Sequence, residues 1–321
     1  MPDFPILDLA ALAAGSDSEK AAFGAEVDQT CRETGFLAVR GHGVPQNVID
    51  AVWSQTRAFF ELPAADKHAV APPRAGYPYG YLGPGTEALA KSRGEDTPPD
   101  LKESFNGGPA TVPAGMTDAD ALAFCYVPTI WPKGRAGFKP AWQAYYQEME
   151  HLAARIMEVL AVALGLPQDH FAPYIDAPIS ALRALNYPEQ DVAPLDNQLR
   201  AGAHTDYGSL TILLPEPGSR GLEILTPAGD WQAVPPIPDT FVVNIGDLMQ
   251  RWTNDRWAST LHRVVTPADW AGKRRQSLAF FHQPNWLAEI TCLPGCCDGG
   301  DSYAPVLSGP YLMDKFKAAT A

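Results

Sequence analysis

No apolar run in this chain approaches the roughly 18 residues needed to cross a bilayer, so no membrane span is expected. Basic residues are in deficit: 24 Lys and Arg stand against 37 Asp and Glu, for a formal charge of −13. A surface of that sign repels phosphate backbones and argues against a nucleic-acid partner. The stretch Met1-Pro2-Asp3-Phe4 has neither a basic n-region nor an apolar h-region, so no secretory signal is expected. Cysteine is scarce: Cys31, Cys125, Cys292, Cys296 and Cys297. An odd number without a signal argues against a disulfide framework and for a reducing, cytoplasmic compartment. All five are read as structural, and the adjacent Cys296-Cys297 does not suit a zinc knuckle. Internal repeats and low-complexity tracts are missing too.

What the chain does have is length and apolar content: 321 residues, 46% hydrophobic, enough for a large core around a pocket. One catalytic domain over 1–321 is expected, because large β-barrels exceed about 200 residues as single units. Within it we delimit an N-terminal helical and strand region (1–180), a core (181–285), and a C-terminal tail and helix (286–321).

Pro5–Leu9 reads as a short strand, and Ser16 with Glu19 as a capping box before a helix carrying Phe23, Val27 and Cys31. Gly35 ends that helix, and Phe36–Val39 is a strand. A turn at Gly41–Pro45 leads into a helix with Ile49, Val52, Trp53, Phe59 and Phe60 on one face. Over 69–135 periodicity fades and Pro and Gly crowd in, which predicts an irregular loop. Its interleaved Tyr77, Tyr79 and Tyr81 point to an ordered loop that covers something. From Phe138 to Leu164, Trp142, Tyr145, Met149, Leu152, Ile156 and Leu160 recur at helical spacing, predicting a long helix backing a sheet.

After residue 180 the period becomes two. Strands are expected at 182–187, 209–214, 222–225, 231–234, 240–245, 261–265 and 276–282. Several are apolar on both faces, as in Phe241-Val242-Val243 and Leu278-Ala279-Phe280-Phe281. One face would line a barrel or double-sheet interior and the other would pack on helices.

His204-Thr205-Asp206 opens the first strong strand expected there. In an extended chain residues i and i+2 share a face, so the imidazole and the carboxylate project together. Two histidines and one carboxylate on one face of an octahedron suit non-haem iron(II) with three positions left open. His262 is the best candidate for the second histidine, since Val264 would share its inward face. Thirteen residues on, Arg275 and Ser277 again stand at i and i+2. An inward Arg in an apolar barrel is costly unless it meets an anion, and a guanidinium with a hydroxyl suits a terminal carboxylate. A basic surface turn, Lys273-Arg274-Arg275, is the plainer reading of the same stretch.

These segments resemble the 2-oxoglutarate/Fe(II) oxygenase superfamily in its isopenicillin N synthase-like branch. The likeness is carried by His204-Thr205-Asp206-Tyr207-Gly208-Ser209-Leu210-Thr211-Ile212-Leu213, Gly221-Leu222-Glu223-Ile224, Val243-Asn244-Ile245-Gly246-Asp247-Leu248 and Trp252-Thr253-Asn254. Ser259–Val264, Arg275-Gln276-Ser277 and Phe280-Phe281 continue it. In the N-terminal half Cys31–Phe36, Gly41–Pro45 and Asp100-Leu101-Lys102-Glu103 also match. The resemblance implies a mainly β fold with flanking helices, a distorted double-stranded β-helix (jelly roll). It implies His204, Asp206 and His262 as ligands of Fe(II), and Arg275 and Ser277, with Tyr187, as binders of the distal carboxylate of 2-oxoglutarate. Many members read Asn-x-Tyr near that tyrosine; here Asn186 directly precedes Tyr187.

The resemblance further implies oxidation of a small-molecule substrate by O2 (hydroxylation, desaturation or cyclisation) with release of succinate and CO2. Halogenating relatives carry a small residue in place of the carboxylate, so Asp206 implies an oxygenase. Three other readings stay open at this point: an iron oxidase without 2-oxoglutarate, a non-catalytic binding module, and a zinc hydrolase. Among the remaining polar residues, His42, His68, His151, His170 and His282 are expected to be structural, as are Lys102 and Glu103. Asn244 and Asp247 are expected to serve as cap and turn. Tyr77, Tyr79, Tyr81, Phe105, Tyr311, Leu312 and Phe316 are candidate pocket-lining residues.

Overall fold

The computed structural model describes residues 4–95, 97–189, 194–266, 273–297, 299–300 and 303–320; the reading of Met1-Pro2-Asp3 lies outside them. The N-terminal half supplies β1 (Ile6–Asp8), α1 (Leu9–Ala14), α2 (Asp17–Glu33), β2 (Phe36–Arg40), α3 (Gln46–Phe60), α4 (Ala64–His68), β3 (Gly80–Leu82), β4 (Glu103–Gly107), α5 (Ala119–Ala123) and α6 (Phe138–Ala163). Then come β5 (Ala181–Tyr187), β6 (Ala201–His204), β7 (Leu210–Pro215), β8 (Leu222–Leu225), β9 (Trp231–Ala233), β10 (Phe241–Ile245), α7 (Asp247–Trp252), β11 (His262–Val264) and β12 (Arg275–His282). A small hairpin of β13 (Glu289–Ile290) and β14 (Val306–Leu307) precedes α8 (Ser308–Thr320).

Two sheets build the double-stranded β-helix. The larger runs β1-β2-β10-β7-β12-β5-β4-β3 and the smaller β6-β11-β8-β9. Period-two alternation divides their side chains between two cores. On the outer face of the large sheet, Leu182, Ala184, Leu210, Ile212, Phe241, Val243, Leu278 and Phe280 pack in one cluster with α2, α3 and α6. Their in-between neighbours Leu185, Tyr187, Val242 and Ala279 join Ala201, Leu222, Ile224 and Val264 between the sheets. The strands are apolar on both faces because both faces are covered.

The long helix α6 follows its expected bounds. Its Trp142, Tyr145, Met149, Leu152, Ile156 and Leu160 are all buried, and each contributes on the order of 1.5–3 kcal/mol through removal from water. The Ser16–Glu19 capping box is formed at the start of α2. Gly35, at φ +61°, lets the chain reverse after α2, and its N–H donates to Thr30 O at 3.0 Å.

Three expectations are corrected. Segment 69–135 is not wholly irregular, because β3 and β4 extend the large sheet beyond β5. β4 escapes a hydrophobicity reading because its buried residues are largely polar. Glu103 is satisfied there by Lys67 Nζ at 2.6 Å, Asn186 Nδ2 at 2.7 Å and the Tyr81 hydroxyl at 2.5 Å. Second, His204 closes β6 rather than opening a strand; Asp206 lies just beyond it and β7 begins at Leu210. Third, Cys292 and Cys297 are joined in a disulfide, while Cys31, Cys125 and Cys296 are free. The turn at Leu293-Pro294-Gly295, closed by Cys296 N–H on Leu293 O at 3.0 Å, brings the two Cα atoms to 6.0 Å. It is one local link, not a framework. No helix among the described residues is long and apolar enough to cross a membrane.

Candidate metal centre and co-substrate pocket

β6 and β11 pair antiparallel with His262 opposite His204, which brings two imidazoles from separate strands to one spot. Their ring centroids lie 4.3 Å apart. Asp206, on the turn that follows β6, places Oδ1 3.9 Å from His204 Nε2 and 3.8 Å from His262 Nε2. One ligand atom from each of the three lies within 4.8 Å of the others, the only such group among the described residues.

The surroundings fix which atoms are offered. His204 Nδ1 lies 2.7 Å from Gly202 O and His262 Nδ1 3.1 Å from Thr260 O. A carbonyl only accepts, so each Nδ1 carries the proton and each Nε2 keeps its lone pair toward the centre. Asp206 Oδ2 accepts from Thr211 Oγ1 at 2.6 Å and from Asn244 Nδ2 at 2.8 Å, leaving Oδ1 free. The turn itself is tight. Asp247 N–H donates to Asp206 O at 2.7 Å, and a side chain at Gly246 would collide with Gly208 O.

Electrostatics keep the donors in metal-ready form. Burial, reinforced by the neighbouring His262, pushes His204 down to about 3, so its imidazole is neutral. Burial alone would raise the Asp206 carboxyl. Attraction to an imidazole while it is protonated, and the Thr211 and Asn244 hydrogen bonds in either case, oppose that and hold the group below the usual carboxylate range. A divalent cation fits this donor set, with one carboxylate oxygen and two neutral nitrogens converging at ligand spacing.

The triad opens into a cavity of about 420 Å³ between the sheets. Arg275, Ser277 and Tyr187 line it, with Arg275 directly opposite Tyr187 in the β12–β5 register. The Arg275 guanidinium lies 4.9 Å from the Tyr187 ring centroid, and its Nε reaches Ser219 Oγ at 3.3 Å. Arg275 and Ser277 are almost wholly buried, yet Arg275 Nη1 and Ser277 Oγ have no hydrogen-bond partner. Arg200, also buried, leaves Nε and Nη1 unpartnered; burial and the charge of Arg275 lower its pKa. Unpaired buried donors at this end fit an anionic group such as the distal carboxylate of 2-oxoglutarate. Arg274, in contrast, turns away to Asn186 and Glu61.

The other candidates divide. Tyr79, Leu312 and Phe316 line the cavity, whereas Tyr81 caps Glu103 and Phe105 sits in an aromatic core with Phe59, Phe138 and Trp142. Tyr77 donates to Pro128 O, and Tyr311 packs near Arg251 and Lys315. Lys102 and Glu103 do not pair with each other: Lys102 meets Asp100 at 2.8 Å and Glu103 meets Lys67. His282 is structural, bonded to Ser209 Oγ at 2.7 Å and pushed down to about 4 by burial. Asn244 is not a cap: it holds Asp206. The sequence reading missed that role and the matching one of Thr211. A lone polar residue in an otherwise apolar strand, as at Thr211 and Asn244, was the available signal.

Residues 178–284 match the family described as the 2OG-Fe(II) oxygenase superfamily, and residues 4–134 match the non-haem dioxygenase in morphine synthesis N-terminal family. A 2-oxoglutarate-Fe(II) type oxidoreductase, hxnY, of Emericella nidulans is 30% identical over 98% of this chain and 89% of its own length. Validamycin A dioxygenase of Streptomyces hygroscopicus is 32% identical over 97% and 85%. Among solved structures, a full-length Neurospora crassa protein crystallised in complex with alpha-KG superposes with a TM-score of 0.86 at 29% identity, covering 98% of this chain and 96% of that one. These likenesses decide among the readings left open by the sequence. Together with the site geometry they establish that the chain belongs to the 2-oxoglutarate/Fe(II) oxygenase superfamily, as a 2-oxoglutarate-dependent dioxygenase.

Proposed function

We propose that His204, Asp206 and His262 hold the iron(II), and that Arg275, Ser277 and Tyr187 bind the distal carboxylate of 2-oxoglutarate, while a small-molecule substrate occupies the rest of the cavity. One observation carries this reading. Nε2 of each histidine and Oδ1 of Asp206 converge, while Nδ1 of both rings and Oδ2 of the carboxylate are already engaged.

Iron(II) with 2-oxoglutarate supplies oxidative decarboxylation to succinate and CO2, coupled to oxidation of the substrate by O2. The chain's own residues position and protect that chemistry. Gly202 O and Thr260 O fix the two imidazole tautomers, and Thr211 and Asn244 fix the carboxylate. Arg275 orients the diacid through a charge-assisted bond in a buried setting where water does not compete. Apolar walls from Leu185, Leu213, Phe281 and Leu312 keep bulk water from the reacting centre.

The chain acts as one catalytic unit over 1–321 in this reading, because β1–β4 complete the sheet that β5, β7, β10 and β12 begin. A cytoplasmic location is part of this reading and rests on the lack of a disulfide framework, the one link, Cys292–Cys297, being local and three cysteines being free. Succinate formation that requires both Fe(II) and 2-oxoglutarate and rises with substrate tests the proposal. Oxygen uptake independent of 2-oxoglutarate would contradict it.

A further inference from the structure

Beyond the triad, the cavity wall carries a cation that the co-substrate does not use. β5 sends Tyr187, Leu185, Arg183 and Ala181 inward, in register with Arg275, Ser277, Ala279 and Phe281 of β12. Arg183 therefore stands four residues from Tyr187, about 13 Å along the strand at the ordinary rise. A five-carbon diacid anchored at Arg275 is shorter than that strand separation. Arg183 belongs to the substrate's part of the cavity, with Asn106 opposite it on β4 and Phe124, Phe281, Leu312 and Phe316 supplying apolar surface.

This guanidinium is only partly engaged. Its Nη1 donates to both oxygens of Glu87, at 3.0 and 3.3 Å, and its other nitrogens meet no hydrogen-bond acceptor among the described residues. Glu87 has a second cation within reach, Lys102 Nζ at 3.7 Å. The neighbouring Asp100 is fixed in place: Oδ1 accepts from Gly202 N–H at 2.9 Å, and Oδ2 from Leu89 N–H at 3.2 Å and Lys102 Nζ at 2.8 Å. The Glu87 backbone is pinned as well, its carbonyl accepting from Asp100 N–H at 2.8 Å, so only the side chain is free to turn.

Resting on the proposed function above, we infer that Arg183 determines specificity for a substrate that carries a carboxylate. The acid docks on the free edge of the guanidinium, two N–H groups to two oxygens, a planar match that Lys cannot make. Glu87 yields Arg183 and turns to Lys102. Every charge then keeps an opposite neighbour, so the exchange leaves no buried charge unpaired.

The test uses the full chain loaded with Mn(II) and 2-oxoglutarate. It is titrated calorimetrically with benzoate, phenylacetate and 3-phenylpropionate, and with the primary amide of each. At least one acid should bind about ten- to a hundredfold more tightly than its amide, the difference expected for losing hydrogen bonds to a charged group. Arg183→Met should erase that preference, and Arg183→Lys, which keeps the charge and the fold, should restore only part of it. Glu87→Gln should tighten the acid and leave the amide unmoved. Acids and amides binding alike, no acid binding at millimolar concentration, or Arg183→Met and Arg183→Lys both keeping the wild-type preference would overturn the inference. A wild-type protein that fails to bind 2-oxoglutarate in the first titration would overturn the underlying reading instead.

Discussion

Asn244 Nδ2 donates to Asp206 Oδ2 at 2.8 Å, from β10 of the large sheet to the turn that follows β6 of the small one. This bond, shared with Thr211, commits one carboxylate oxygen to the protein and leaves the other facing His204 and His262. It also ties the proposed metal centre to the strand that carries the helix-facing core residues Val243 and Ile245.

Removing that bond should loosen the metal without removing a ligand. Asn244→Ala is expected to weaken Fe(II) or Mn(II) affinity by about 10- to 100-fold, the usual cost of losing a partner behind a ligand. Metal titration with far-ultraviolet circular dichroism on the same samples checks it; unchanged affinity would show that Thr211 alone suffices.

Loss of a ligand should be more severe. His204→Ala, Asp206→Ala and His262→Ala are each expected to abolish substrate-dependent succinate formation and stoichiometric metal retention, with folding preserved. All three face the cavity and none carries the helix-packed core. A variant that retained full metal content would remove that residue from the set.

At the far end of the pocket, Arg275→Ala should raise the 2-oxoglutarate requirement by roughly 10- to 100-fold, consistent with losing a hydrogen-bonded charge. Ser277→Ala should raise it by about tenfold at most, since a neutral hydroxyl donor is worth less. The apparent KM for 2-oxoglutarate, measured at saturating iron, separates the two.

Stability should depend on pH through Glu150 on α6, whose carboxyl burial pushes up to about 7. A carboxyl raised in the folded state favours folding below its unfolded value, near 4.5, and that contribution is lost as pH rises through about 7. Glu150→Gln should therefore match wild type near pH 4 and exceed it at pH 8 by on the order of 1 kcal/mol, after allowance for partial exposure. Urea midpoints at the two pH values decide; a variant destabilised equally at both would contradict the burial argument.

Much of this was legible because both periods were intact. The three-and-four spacing of Trp142 through Leu160 marked α6 within a residue of its end, and the alternation in β5, β7, β10 and β12 marked the sheets. That His204, Asp206 and His262 would converge was legible from type and spacing. What stayed hidden depends on partners far along the chain. β4 is buried with polar residues because Lys67, Tyr81 and Asn186 satisfy Glu103, so no hydrophobic pattern announces it. The contact of Asn244 with Asp206 and the placement of Arg183 opposite Asn106 exist only once β10 lies beside β7 and β5 beside β4, and neither pairing has a local signature. The Cys292–Cys297 link depends on the local turn at Leu293-Pro294-Gly295 rather than on a cysteine pattern.

The most direct measurement is a crystal structure of the protein grown without oxygen in the presence of Fe(II) and 2-oxoglutarate, with anomalous data at the iron edge. The account predicts one iron bonded to His204 Nε2, Asp206 Oδ1 and His262 Nε2, with the free carboxylate of 2-oxoglutarate on Arg275 and Ser277. Iron bound elsewhere, or a co-substrate that leaves Arg275 Nη1 unpaired, would contradict it.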